Sequence, residues 1–355
     1  MKRITTSPHL HSGFSTRNIM LCVAYALTPA WIWGVLAFGF RAFLVMLVSI
    51  SSAVLTEYLL GLINKEETIR DGSALVTGML IGMNMSPAVP LFIPVMASVF
   101  AIAVVKWTFG GLGANWANPA IAGRVFVFFS FTNAMSEFTM PAALRGAAEL
   151  VGAATPLSFV KTAVVSGNYP GATSLNILAM NGYPVSNLAM KLSQATGFNP
   201  YNIDAFIGNI PGCIGEVSSL LLLLGGIYLI CKDIITWHIP VTFILSYSVL
   251  TWIFGGMPNG LGAFHGEVTA SVLRGGLILG AFFMATDYVT TPITHKGMII
   301  FAAGCGFFTF LFRTFGSLPE ATSVAILIMN ITVPTIDRFC KPKKFGETVV
   351  QEVAK

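Results

Sequence analysis

The sequence predicts an all-α membrane protein with about ten transmembrane helices arranged as two inverted five-helix repeats. Three observations lead there. Only 10% of the 355 residues are charged while 55% are apolar, against about 25% charged in a soluble domain. The mean hydropathy is +0.77 over the whole length, so lipid surrounds most of the chain and not just an anchor. The few charges fall between apolar runs, and several of these approach the ~20 residues a helix needs to cross the hydrocarbon core.

In chain order, the runs between charges predict helices over 18–40, 42–63, 72–86, 91–109 and 117–132, then 214–231, 236–254, 270–286, 296–312 and 321–336. Arg41 separates the first two, and the charged stretch Lys65–Asp71 separates the second from the third. A polar, Pro-containing turn at 86–90 ends the third, and the glycines 110, 111 and 113 end the fourth before Asn118-Pro119 opens the fifth. In the second set, Lys232-Asp233, the loop 255–269, the polar break Ala285-Thr286-Asp287 and Arg313 are the dividers. The third and fifth helices are short and the eighth breaks at its end, as expected of interrupted helices that meet near the midplane.

An even number of crossings puts both termini on one side. Basic residues in the tails (Lys2, Arg3, Arg17; Arg338, Lys341, Lys343, Lys344), in Lys65–Arg70 and at Lys232 and Lys296 make that side cytoplasmic. The opposite face receives Arg41, the turn 86–90, the loop 255–269, Arg313 and the long insertion 133–213, whose basic and acidic residues balance. The chain therefore divides into a cytoplasmic tail 1–17, a first half 18–132, an extracytoplasmic connector 133–213, a second half 214–336 and a cytoplasmic tail 337–355. Five crossings per half force the second half to enter from the other side, and Gly78-Met79-Leu80-Ile81-Gly82 is echoed by Gly276-Leu277-Ile278-Leu279-Gly280. The connector has too little apolar periodicity to fold alone and is expected to pack over the membrane domain. No small-residue cleavage site follows the first apolar run, so no cleaved signal peptide is expected.

Composition also excludes some functions. The formal charge of +5 is explained by orientation and does not indicate nucleic acid. Cys22, Cys213, Cys231, Cys305 and Cys340 form no CxxC pair, which argues for mostly buried structural thiols and against a metal or iron–sulfur site held by this chain alone. No GxGxxG fingerprint follows a strand, so no dinucleotide site is expected on this chain.

A charge inside the hydrocarbon costs at least about 2.5 kcal/mol, so Glu57, Asp71, Lys106, Arg124, Glu216 and Asp287 each need a partner, a wet cavity or a ligand. Glu216 follows the Gly-rich turn Gly208–Gly215. It can serve an anion site at the opening of the sixth helix or simply cap that helix. Arg124 can clamp a phosphate or pair with Glu216. Asp71 and Asp287 lie at helix breaks on the cytoplasmic side and are candidates for ion entry or for docking of another subunit.

Ser7-Pro8-His9 leading to Ser15-Thr16-Arg17, Asp71-Gly72-Ser73-Ala74, Phe109–Asn115 with Asn118-Pro119-Ala120, Gly208–Glu216, Ala285-Thr286-Asp287 and Ala325–Asn330 together carry a resemblance that spans almost the whole chain. They resemble the D subunit of the Rnf ion-translocating ferredoxin:NAD+ oxidoreductase complex and the homologous B subunit of the sodium-translocating NADH:quinone reductase. The short N-terminal extension looks like the former, and Asp204–Gly212 like the latter.

The resemblance implies a redox subunit of a bacterial inner-membrane translocase, partnered by other membrane and peripheral subunits and coupling electron flow to Na+ or H+ movement. Ferredoxin is expected to dock elsewhere. It also implies FMN joined through its phosphate to a Thr hydroxyl on the outer face, in a pattern like Asp-x-x-Ser/Thr-Gly-Ala-Thr, and leaves room for a second, non-covalent flavin. Thr155, in Glu149-Leu150-Val151-Gly152-Ala153-Ala154-Thr155-Pro156-Leu157, is the preferred acceptor. Thr173, in Tyr169-Pro170-Gly171-Ala172-Thr173, is the alternative. Both lack the family's Ser/Thr three residues before the acceptor, where Gly152 and Pro170 stand. Arg124 and Glu216 are the candidates for phosphate or ring contacts. Composition alone favours a second class, a non-redox secondary transporter or channel with its site at the broken helices, and the motif set reverses that preference.

Overall fold

The computed structural model describes residues 15–65, 68–144, 154–167, 169–316, 318 and 320–341. The Ser7-Pro8-His9 motif, the tail residues Lys2, Arg3, Lys343 and Lys344, and Arg145, Glu149 and Gly152 lie outside the described residues. Among those described, every regular element is helical.

Five helices are long and apolar enough to cross a membrane: Thr16–Phe38 (α1), Phe40–Asn64 (α2), Phe92–Phe109 (α4), His238–Asn259, whose regular part is His238–Phe254 (α11), and His295–Thr314 (α13). Their outward residues, among them Leu36, Leu55, Ile63 and Leu245, are apolar and exposed, whereas Ser49, Glu57, Lys106 and Thr309 are buried. That inside-out distribution suits a lipid solvent. Between them run the shorter Ser73–Met83 (α3), Pro119–Ser130 (α5), Ser219–Cys231 (α10) and the segment 277–284 (α12), and after them comes the 18-residue Thr322–Phe339 (α14).

The short helices follow from local chemistry. Gly72, at φ 77°, turns the chain into α3, and Asp71 Oδ1 accepts from the Ser73 N–H at 2.8 Å and from Ser73 Oγ at 2.7 Å. Asn118 caps α5, its Oδ1 accepting from Ala120 N–H at 3.0 Å, and Pro119 takes the first helical position, where no N–H is needed.

Each interrupted end is then completed by the other half. The carbonyls of Met83 and Met85 accept from Gly215 N–H at 2.8 Å and Ile214 N–H at 3.0 Å. Asn118 Nδ2 donates to the Met284 carbonyl at 3.1 Å. Gly215 is required at this approach, since a β-carbon there would collide with Met83 Cβ.

The connector contains Pro156–Val165 (α6), Ser174–Met180 (α7), Asn187–Thr196 (α8) and Pro200–Ile207 (α9), with a small core of Val160, Ala172, Ile177, Leu178 and Tyr183. Bonds join it to the membrane helices and their loops: Lys161 Nζ to the Arg313 carbonyl (2.9 Å), Gly171 N–H to the Asn259 carbonyl (2.6 Å) and Trp33 Nε1 to the Gly208 carbonyl (3.2 Å). The connector, the loop 255–267 and the end of α13 thus share one face.

Four expectations are corrected. The single helix 270–286 is broken, because Gly275 (φ 68°) and Gly276 (φ 67°) separate a short helix Val268–Val272 from α12. The sixth helix begins at Ser219 and not at 214, because Ser218 is extended (φ −102°, ψ 99°) and caps it, while Ile214 and Gly215 run against Met85 and Met83. Of the five thiols only Cys213 and Cys305 are buried, and Cys231 is exposed. The glycine echo is also out of register: Gly276 opens α12, whereas Gly78 lies inside α3 against α2 and Gly72 opens that helix.

One buried ion pair fastens the first half. Lys106 Nζ of α4 lies 2.8 Å from Glu57 Oε1 of α2 and donates to Ser73 Oγ of α3 at 2.7 Å. Breaking such a pair costs about 3–5 kcal/mol because it strands a buried charge, while a matched apolar pair restores stability. Glu57→Ala is therefore expected to lower the melting temperature of the detergent-solubilised protein markedly, and the double change Glu57→Leu with Lys106→Met to recover most of the loss.

Candidate functional site, an outer polar pocket and an inner cavity

The outer pocket lies where the connector meets the second half, and Thr155, Pro211, Gly212, Glu216, Arg274 and Glu320 are among the residues lining it. Thr155 is buried and caps α6. Its Oγ1 accepts from Ser158 N–H at 3.2 Å, and Pro156 occupies the first helical position. The preceding carbonyl of Ala154 is held by the Tyr183 hydroxyl at 2.8 Å. A hydroxyl at the start of a ten-residue helix sits where unpaired N–H groups favour negative charge.

Thr173 also caps a helix, α7, accepting from Asn176 N–H at 3.3 Å, but it is only half-buried and is not among the pocket-lining residues.

Behind the pocket, Arg124 faces two carboxylates, at 3.4 Å from Glu216 Oε1 and 3.5 Å from Glu320 Oε2, and it donates to Ser323 Oγ at 2.5 Å. Of the two arrangements the sequence left open for Arg124, the geometry has the ion pair. Glu216 does not cap a helix, because Ser218 caps α10 through Leu221 N–H at 3.4 Å. Burial, and then the neighbouring Glu216, push the Glu320 carboxyl up to about 7, against the opposing pull of Arg124 and Arg313. Burial and the same two carboxylates raise the Cys213 thiol well above its ordinary value, which keeps it neutral. Donor atoms of Cys213, Glu216 and Glu320 come within 4.8 Å of one another, as in a metal site. The Arg124 guanidinium already supplies the cation there.

Arg274, on the opposite wall, is buried. Its Nη2 donates to Asn202 Oδ1 at 3.3 Å, and its Nε has no partner among the described residues. Burial lowers its pKa to about 10, partly offset by Glu267, Tyr183 and Tyr201. Sequence reasoning passed over Arg274 and Glu320. The signal for Arg274 was available, since a charge inside the expected helix 270–286 needs a reason.

The inner cavity, of about 100 Å³, is lined by Lys106, Asn115, Asn118 and Asp287 among apolar walls that include Phe282 and Phe283. Asp287 Oδ2 accepts from Thr290 Oγ1 at 3.0 Å. Asp71 is not among the lining residues; it reaches the cavity through Ser73, which it caps and to which Lys106 donates.

A helical membrane protein with paired broken helices, a connector-covered polar pocket on one face and a second cavity between the breaks is the class these features define. The comparisons narrow it. The profile of the NQR2, RnfD, RnfE family matches residues 3–346, and the chain belongs to that family. It is 42% identical to the D subunit of the proton-translocating ferredoxin:NAD(+) oxidoreductase complex of Clostridium ljungdahlii, over 97% of this chain and 96% of that one. It is 37% identical to the Na(+)-translocating counterpart of Acetobacterium woodii, over 99% and 98%, and 37% identical to the D subunit of the ion-translocating oxidoreductase complex of Stutzerimonas stutzeri, over 94% and 92%.

Because folded Glu320 holds its proton up to about 7, the native state binds more protons than the unfolded chain from about 4.5 upward. Stability therefore falls as pH rises through that window and levels off above it. Melting temperatures across the window should follow this slope, and Glu320→Gln should flatten it.

Proposed function

We propose that this chain is the membrane redox subunit of an ion-translocating ferredoxin:NAD+ oxidoreductase complex, carrying FMN as a phosphoester on Thr155 at the outer face. The relatives' names support the complex. The position of Thr155 carries the flavin assignment, because this buried hydroxyl at a helix start lines a pocket that also contains Arg274. The residues fit a phosphate-bearing group. The N-terminus of α6 and the Arg274 guanidinium present positive charge, and Arg124 holds Glu216 and Glu320 so that their charge does not oppose an incoming anion.

When bound, the flavin supplies one- and two-electron transfer, with the ester preventing its loss from the membrane edge. The chain's own residues anchor it, screen its phosphate and exclude water. The inner cavity, with Asp287 on its wall and Asp71 behind Ser73, is the candidate region for ion entry or for docking of another subunit. Relatives of similar identity are named for H+ and for Na+, and the reading takes either ion.

The same reading takes the chain as two inverted halves of five crossings in the bacterial inner membrane, with both termini cytoplasmic and residues 133–213 outside. Reciprocal contacts support it. Arg124 of α5 reaches Ser323 at the start of α14, while the Asn330 amide of α14, its oxygen facing α5, accepts from Asn118 N–H at 3.2 Å. Opposed arrangements also recur where α3 and α12 begin. Lys106, near the end of α4, bonds Ser73, and Arg313, near the end of α13, donates to the Gly275 carbonyl.

Purified complex from a host that attaches flavin should give a fluorescent band for this subunit in a denaturing gel. Thr155→Ala should reduce the band to background and Thr173→Ala should leave it. A fluorescent Thr155→Ala band would move the ester to another residue. An unlabelled wild type together with ion-driven solute uptake without reductant would favour the transporter reading.

A further inference from the structure

We propose that Arg274 is the residue that binds the flavin phosphodiester and positions it against Thr155, an inference that rests on the attachment of FMN at that threonine. The geometry singles it out among the cations near the pocket. Arg124 is committed to Glu216 and Glu320. Arg313 is spent on Tyr247 Oη (3.2 Å), the Ser271 carbonyl (3.2 Å), Thr322 Oγ1 (2.9 Å) and the Gly275 carbonyl. Lys161 donates to the carbonyls of Phe312 (3.3 Å) and Arg313 (2.9 Å) at the end of α13. Only Arg274 lines the pocket with an unpartnered donor and no carboxylate within 4.0 Å among the described residues.

A guanidinium that is only 3% exposed and held by one neutral amide is a costly arrangement unless an anion completes it. The chemistry required of that anion is specific. It must be compact and carry oxygens that can accept from the planar fork of donors that Arg presents. It must also be reachable from Thr155 Oγ1, because both residues line one pocket. A phosphodiester oxygen pair on Thr155 meets these conditions and brings one negative charge to one unpaired positive charge. The surrounding bonds fix the guanidinium beforehand: Asn202 Oδ1 holds Nη2, and Tyr201 Oη, donating to the Tyr183 carbonyl at 3.2 Å, ties the α9 wall to the residue that pins Ala154. Gly275 and Gly276, both in the left-handed region, turn the chain directly after Arg274, so that it precedes α12 and does not lie within a membrane helix.

The test uses the whole complex in membranes containing the flavin transferase. Flavin incorporation is read as in-gel fluorescence per amount of subunit, and the midpoint potential of the attached flavin is read after full loading. Arg274→Gln should slow labelling at least tenfold and shift the potential to more negative values, because the phosphate charge is no longer balanced. Arg274→Lys, which keeps the charge but not the fork, should recover part of the labelling rate and most of the potential. If Thr155→Ala abolishes labelling while Arg274→Gln labels at the wild-type rate with an unmoved potential, the role of Arg274 is overturned and the attachment site stands. If Thr155→Ala still labels, the attachment reading itself fails. If Arg274→Gln reduces the amount of protein, Arg274→Lys at normal abundance decides, and labelling no better than that of Arg274→Gln would overturn the proposal.

Discussion

A backbone that leaves its helix inside a low-dielectric solvent has no water to receive its carbonyl and amide groups, and the rest of the structure is arranged around that fact. Helix α3 stops after eleven residues; the N–H groups of Asn84 and Met85 take the carbonyls of Leu80, Ile81 and Gly82, and the carbonyl of its last residue, Met83, is taken by Gly215 in the Gly-rich segment that precedes α10. Helix α12 is shorter still, and the Met284 carbonyl at its end is taken by the side chain that caps α5. Each half thus supplies the polar partners that the other half's breaks require. The two cavities are a by-product, since the places where helices stop are also the places where polar side chains are needed and space is left.

The buried charges obey the same logic. Glu57, Lys106, Arg124, Glu216, Glu320 and Arg313 all find partners within the protein, and these partners lie on different segments of the chain. Their contribution to net stability is modest, because desolvation cancels much of the attraction, but each defines which helices meet and in what register. Arg274 stands apart in having one neutral partner. The contrast between Arg124, saturated behind the pocket, and Arg274, unsaturated on its wall, separates a structural cation from one available to a ligand.

Much of the architecture was legible in the chain because its signals are local. Long apolar runs marked α1, α2, α4, α11 and α13, and Pro or Gly beside polar residues marked the breaks at 84–90, 110–118 and 285–287. The errors came where tertiary bonds override composition. Residues 214–218 are apolar enough to read as helix, yet Gly215 and Ile214 are drawn away by Met83 and Met85. The stretch 270–286 reads as one span because two glycines carry no hydrophobic penalty, although their left-handed backbone severs it. Thr155 could be picked out by resemblance, and its capping of α6 is local, whereas its shared pocket with Arg274 depends on residues more than a hundred positions apart.

The pairing of Met83 and Met85 with residues 214 and 215 also bears on biosynthesis. The first half leaves the ribosome well before that segment exists, and until residue 215 is made the carbonyls of Met83 and Met85 lack the partners they have in the folded chain. The nascent first half is thus an unfinished object, and its completion is tied to translation of all of residues 133–213.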